Sequence, residues 1–179
     1  MSERDDSRAR RPRVVLVGPP AAGKTTVGRL LADRLSVPFF DTDDLVVDRA
    51  GKPVSDIFVD DGEEEFRRLE AEAVAEALTR DAVVALGGGA VLAEQNRKRL
   101  AGHPVVLLAA GVPTSAARVG LNRDRPLLLG NPRQRLRQLL AERLPLYREV
   151  AVAEVDTDDR TPEEVADAVL AAVSAPDGR

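Results

Sequence analysis

The chain has 179 residues, enough for one self-sufficient core without a second domain. A net charge of −4 and a pI near 5.2 argue against a nucleic-acid surface, and no apolar run approaches the roughly eighteen residues of a membrane span. The absence of cysteine excludes disulfides, thiolate metal sites and thiol nucleophiles, and suits a reducing cytoplasm.

Residues 1–12 mix charges of both signs with no apolar stretch, so they read as a disordered tail instead of a signal peptide; the domain is expected over 13–175. "RVVLV" (13–17) is the first strand candidate, and a helical pattern follows at 24–35. "PFF" (38–40) is the second strand, followed by helices near 43–50 and 62–79. The latter is the clearest helix, with Phe66, Leu69, Ala73, Val74, Ala77 and Leu78 at helical spacing behind an acidic first turn. "AVVAL" (82–86) predicts a third strand, which runs into the glycine triplet Gly87, Gly88 and Gly89. Helix 93–101, strand "PVVLLA" (104–109) and helix 113–120 come next. "GLNRDRPLLLGNP" (120–132) reads as a loop that opens and closes, a lid candidate. Helix 133–148, strand "VAEV" (152–155) and helix 162–174 complete the chain. Apolar runs without alternation predict strands buried on both faces, and the strand–helix alternation predicts an α/β fold with a parallel sheet.

The first strand leads into "GPPAAGKTT", where Gly18, Gly23, Lys24 and Thr25 satisfy G-x-x-x-x-G-K-[ST] and a helix follows. Backbone amides in such a loop hold nucleotide phosphates, so Pro20, Ala21, Ala22 and Thr26 belong to the same binding segment. Lys24 supplies charge to the outer phosphates, and the Thr25 hydroxyl can ligate magnesium. Only three of the 26 basic residues are lysines, so a lysine at this position carries weight. Ala21 and Ala22 stand where glycine is common; a positive φ would cost alanine about 1 kcal/mol, and both are expected in ordinary backbone regions.

A P-loop alone does not separate kinases, switches and motors. None of Asn96, Asn122 or Asn131 opens the N-K-x-D guanine reader of a GTPase, and "DRAG" (48–51) falls in a helical stretch, where its resemblance to a switch motif is coincidental. "DTDD" places Asp41 and Asp43 at the end of the second strand, the usual ligand crevice of an open α/β sheet. Two apart in extended chain, they are expected to share a face, one holding magnesium through its waters and the other accepting from a substrate hydroxyl. Asp44 is expected to cap the next helix.

"GPPAAGKTT", "FFDTDD", "DIFVDDGEEEFRRLE", "ALGGGAV", "RDRPLL" and "RLPLYREVA" occur in the order and spacing of the shikimate kinase family, and the chain resembles that family from about Val14 to Pro162. The resemblance implies a three-layer α/β/α sandwich with a five-stranded parallel sheet in the order 2-3-1-4-5 and a mobile lid. It implies transfer of the γ-phosphoryl group of Mg-ATP to the 3-hydroxyl of shikimate, by a cytoplasmic monomer. The substrate region would fall at about 41–80. Arg67 and Arg143 would take the shikimate carboxylate, with Arg68 left on the surface; guanidinium forks suit a carboxylate, and Glu70, one turn from Arg67, can hold it. Gly88 would offer its amide to the substrate, and no side chain is expected to fit there; Asp41 would then be the acidic help for magnesium. Asp43 would orient or deprotonate the hydroxyl. Arg125 would close over the transferring phosphoryl group, with Arg123 a decoy, and Arg118, Arg160 and Pro162 would flank the adenine. His103 is expected in a loop, Tyr147 and Phe39 in the core, and Phe58 and Phe66 either as pocket walls or as packing. Two other readings remain: a gluconate-type or nucleotide kinase with the same P-loop, and a nucleotide-dependent binding module without turnover. Paired carboxylate-binding arginines weigh against a neutral sugar or base as the acceptor; Asp43 and Arg125 weigh against the second.

Overall fold

The structure, a computed structural model, describes residues 10–111 and 131–175. Five parallel strands form one sheet: β1 (Val14–Val17), β2 (Phe39–Asp41), β3 (Val83–Ala85), β4 (Val105–Ala109) and β5 (Ala153–Asp156), in the order β2-β3-β1-β4-β5. This is the order that the resemblance implies. Val15 pairs with Val84 on one side and Val105 on the other, which puts β1 at the centre and aims its C-terminal end, where the P-loop starts, at the crevice of the sheet.

The strands read as unbroken apolar runs because both faces of the sheet are covered. Val14 and Leu16 point into a layer with Val27 and Leu31 of α1 (Lys24–Leu35) and with Val165 and Val169 of the last helix, α7 (Pro162–Ser174). Val15 and Val17 point the other way, toward Val74 and Ala77 of α4 (Gly62–Ala77), Leu100 of α5 (Glu94–Leu100) and Tyr147 of α6 (Pro132–Val150). The rule fails at the sheet margins: in β5 only Val155 is buried, and β2 is half-buried throughout. Edge strands have one neighbour and less helical cover, so the burial expected of every strand holds for the three inner ones.

The helix expected near 43–50 is present and starts one residue earlier, and one further helix is unexpected. α2 spans Thr42–Ala50, so the helix begins directly after β2, with Asp41 as its cap. A further helix, α3 (Val54–Asp60), lies between α2 and α4, and its Ile57 packs with Val46, Phe66 and Leu69 in a small cluster outside the sheet. The seven residues Val54–Asp60 give too few turns for a helical period to show. The expected helix at 113–120 and the lid candidate lie largely outside the described residues. "DRAG" is the end of α2, with Gly51 closing it at φ 69°. α7 starts with a reciprocal capping box: the Thr161 side chain accepts from the Glu164 N–H, and the Glu164 carboxylate accepts from the Thr161 N–H. His103 sits in the α5–β4 loop, where burial lowers its pKa. No helix among the described residues is long and apolar enough to cross a membrane.

Candidate active site

The P-loop joins β1 to α1, and its Gly18 lies so close to β4 that a Cβ there would stand 2.5 Å from the Leu108 carbonyl oxygen. Gly23, at φ 94°, is the left-handed residue that precedes α1. Ala21 is also left-handed, at φ 62°, which corrects the expectation that both alanines are ordinary; Ala22 is. The turn needs left-handed geometry at both 21 and 23, and alanine bears that at position 21 at a cost of about 1 kcal/mol. Lys24 is buried, its Nζ donating to the carbonyls of Gly18 (2.8 Å) and Pro19 (2.9 Å).

Asp41 and Asp43 converge, though not by the expected route. α2 begins between them, so they do not share the face of one strand. Asp41 is the helix cap, a role expected of Asp44: its Oδ1 accepts from the Asp43 N–H at 2.8 Å. Its Oδ2 accepts from the Thr25 hydroxyl at 3.1 Å, joining the strand end to the first turn of α1. Asp44 is exposed, and its carboxyl is raised above the usual carboxylate value, first by partial desolvation and then by Asp41. Asp43 faces the glycine triplet instead. Residues Ala21, Gly23, Lys24, Thr25, Thr26, Asp41, Asp43, Gly87 and Gly88 line one cleft of about 250 Å³. A smaller cleft of about 180 Å³ brings Arg160 and Pro162 beside Ala22, Gly23 and Thr26, on the far side of the P-loop.

The triplet is where the side chains meet. A Cβ on Gly87 would stand 2.5 Å from Asp43 Oδ1, and one on Gly89 would stand 2.5 Å and 2.7 Å from the two terminal nitrogens of Arg67. At Gly88 the nearest atoms would be Pro20 Cδ at 3.3 Å and an Arg143 terminal nitrogen at 3.5 Å. The position expected to exclude any side chain is therefore the least crowded of the three. It is Gly87 and Gly89 that have no room, because a carboxylate and a guanidinium occupy the space.

The two arginines arrive from different helices and are held differently. Arg67, on α4, lies over the ring of Phe66 and donates to Glu70 Oε1 at 2.8 Å, one turn along. Glu70 is 2% exposed, and burial raises its carboxyl above 4.5 although Arg67 and Arg143 both pull it down. Arg143, on α6, is 4% exposed, and its Nε has no hydrogen-bond partner among the described residues. Arg68 is on the surface as expected, paired with Glu65 and Glu72. Phe58 and Phe66 stack on each other at 4.6 Å, which favours the packing reading for both.

Two residues that hold the triplet escaped the sequence reading. Thr42, fully buried, accepts from the Gly87 N–H at 2.9 Å. Tyr147, core as expected, also donates its hydroxyl to the Gly88 carbonyl at 2.6 Å. The only available signal was that a buried tyrosine needs a partner for its hydroxyl. Arg118, Arg123 and Arg125 lie outside the described residues.

A nucleotide switch or motor has no need of two guanidiniums gathered beyond an acidic side chain at the mouth of its phosphate loop; this fold and this cleft define a P-loop kinase for a small acceptor. The comparisons narrow the class. The family profile described as "Shikimate kinase" matches residues 20–174. The chain is 60% identical over 160 residues to the shikimate kinase of Thermobifida fusca (strain YX), covering 89% of this chain and 93% of the relative. It is 56% identical over 165 residues to that of Salinispora arenicola (strain CNS-205), covering 92% and 99%. Among solved structures, a shikimate kinase from Acinetobacter baumannii in complex with shikimate superposes with a TM-score of 0.86 at 39% identity, over 92% of this chain and 93% of that one. The chain belongs to the shikimate kinase family, and its reaction is the ATP-dependent phosphorylation of shikimate.

Proposed function

We propose that the γ-phosphoryl group of ATP is passed to the 3-hydroxyl of shikimate across the glycine triplet, with Asp43 at the hydroxyl and Arg67 and Arg143 on the carboxylate. The observation that supports this most is the convergence of those three side chains on Gly87, Gly88 and Gly89, next to the loop that carries Lys24. An acid-bearing alcohol seated there has its carboxylate on two cations and its hydroxyl beside Asp43. The Acinetobacter relative, by its own description, binds shikimate.

The P-loop amides and the start of α1 would cradle the phosphates, and Arg160 and Pro162 would flank the base in the second cleft. Lys24 would leave the carbonyls of Gly18 and Pro19 for the outer phosphates. Asp43 then orients the hydroxyl and accepts its proton as the oxygen attacks the γ-phosphorus and the bond to the β–γ bridging oxygen breaks, releasing ADP, while Lys24 and Arg125 stabilise the charge on the transferring oxygens. Arg118 would complete the base site.

Thr25 and Asp41 offer a hydroxyl and a carboxylate within 3.1 Å of each other at the cleft, a hard-oxygen pair that fits Mg²⁺, which keeps most of its shell as water and phosphate. When bound, the ion neutralises charge on the phosphates. A chain of this kind works as a cytoplasmic monomer under the same reading, with residues 13–175 as one kinase domain.

The test is an ADP-release assay with shikimate, gluconate and nucleoside monophosphates offered separately. Shikimate alone should drive ADP formation well above the buffer rate. If it elicits no more ADP than buffer does, the proposal is wrong.

A further inference from the structure

Glycines have no side chain with which to fix their own peptide planes, so a triplet that serves as a binding floor must be held from outside. Two of its three carbonyls are satisfied locally: Gly87 O accepts from the Ala90 N–H at 3.0 Å and Gly89 O from the Leu92 N–H at 3.1 Å. The third, Gly88 O, is reached from α6 by the Tyr147 hydroxyl at 2.6 Å. The amides of Gly88 and Gly89 donate to no protein acceptor among the described residues, which leaves them as the donors of the floor. In a planar trans peptide the N–H points opposite to the C=O, so the bond to Gly88 O also sets the direction of the Gly89 N–H.

Tyr147 is four residues from Arg143, on the same face of α6. One helix thus delivers a guanidinium beside Gly88 and a hydroxyl to its carbonyl. We infer that Tyr147 is a positioning residue for the acceptor: it locks the Gly88–Gly89 peptide in register with Arg143, so that the amides and the cation meet the substrate together. This rests on the proposed placement of shikimate at the triplet.

The chain has one tyrosine and no tryptophan, so tyrosine emission from the whole protein reports this one hydroxyl. In the full-length enzyme, Tyr147→Phe should raise the shikimate KM about fivefold, the worth of one neutral hydrogen bond, and leave the ATP KM within about twofold. Wild-type tyrosine emission should change saturably with shikimate and not with ATP alone. A shikimate KM within about twofold of wild type, or a parallel rise in both KM values, overturns the inference. Should Tyr147→Phe not fold, the wild-type titration decides, and emission unmoved at shikimate concentrations that saturate turnover overturns it equally. Failure of the wild type to phosphorylate shikimate would instead condemn the underlying placement.

Discussion

Gly89→Ala isolates the crowding at the triplet from every other property of that loop. Gly89 has φ −97° and ψ −1°, a conformation open to alanine, so the backbone would carry little new strain. The new Cβ would instead meet Arg67, at 2.5 Å and 2.7 Å from its terminal nitrogens and 3.0 Å from Cζ. To reach an ordinary contact distance the guanidinium must retreat by about 1 Å. It is not free to do so cheaply, since it lies over Phe66 and is held at 2.8 Å by the buried Glu70. Forced outward, it turns toward Glu63, which now stands 3.7 Å away, and away from the acceptor site. A charge-assisted hydrogen bond of the kind lost is worth about 1.5–3 kcal/mol, which is roughly a 10- to 150-fold rise in shikimate KM. The ATP KM should hold, because no P-loop atom is among the three nearest that this Cβ would meet. Steady-state ADP release with shikimate varied at saturating ATP measures it, with Gly88→Ala as comparator. That variant, with its nearest atoms at 3.3 Å and 3.5 Å, should raise the KM less than Gly89→Ala does. A Gly89→Ala enzyme with the wild-type shikimate KM would show that the position of Arg67 does not matter to the acceptor, and the reasoning would fail.

Asp43→Asn keeps the shape and removes the base, so kcat should fall by about 10²–10⁴ with an unchanged melting temperature; near-normal turnover would remove Asp43 from the proton's path. Ala21→Gly relieves the left-handed backbone at φ 62° and should stabilise the protein by about 0.5–1 kcal/mol in denaturant unfolding, whereas a loss of stability would mean the loop gains more from alanine's stiffness. Glu70 is held above its ordinary value by burial, so the folded protein binds its proton more tightly than the unfolded chain does, and that stabilisation is present at low pH and lost as pH rises through the folded value. Glu70→Gln should therefore gain stability relative to wild type between pH 4.5 and neutrality, in melts run across that range; a constant difference would show that Arg67 fully compensates the buried charge.

What the sequence made legible follows from how local each signal is. The P-loop and its flanking strand and helix are a contiguous motif, and the inner strands show as apolar runs because both of their faces are buried. The family resemblance, not helical spacing, separates Arg67 from Arg68: the spacing alone requires only that two adjacent residues face different ways, and the structure leaves Arg68 paired on the surface. The misses were decided by partners distant in sequence. Asp41 and Asp44 are chemically alike, and which one caps α2 depends on where β2 stops, which its pairing with β3 settles through Asp41 and Ala85. Ala21 follows the geometry of the whole loop instead of its own propensity. Thr42 meets Gly87 from 45 residues away, and Tyr147 meets Gly88 from 59.

The same distinction explains why three glycines stand at the end of a buried strand. A motif reading looks for what a residue contributes, and the outer two contribute space into which α2 and α4 each place one charged side chain, while α6 sets Arg143 in ordinary contact beside the middle one. Asp43, Arg67 and Arg143 come from helices that share no local sequence, and they meet at a segment whose lack of side chains leaves room for them. The triplet sits at the end of β3, between the edge strand β2 and the P-loop strand β1, where the cleft opens. A side chain at Gly87 would displace the carboxylate and one at Gly89 the guanidinium, so the two outer glycines guard different substrate groups. Alanine at 87 should therefore depress kcat through Asp43, and alanine at 89 should raise the shikimate KM through Arg67, a split that a merely flexible turn would not produce.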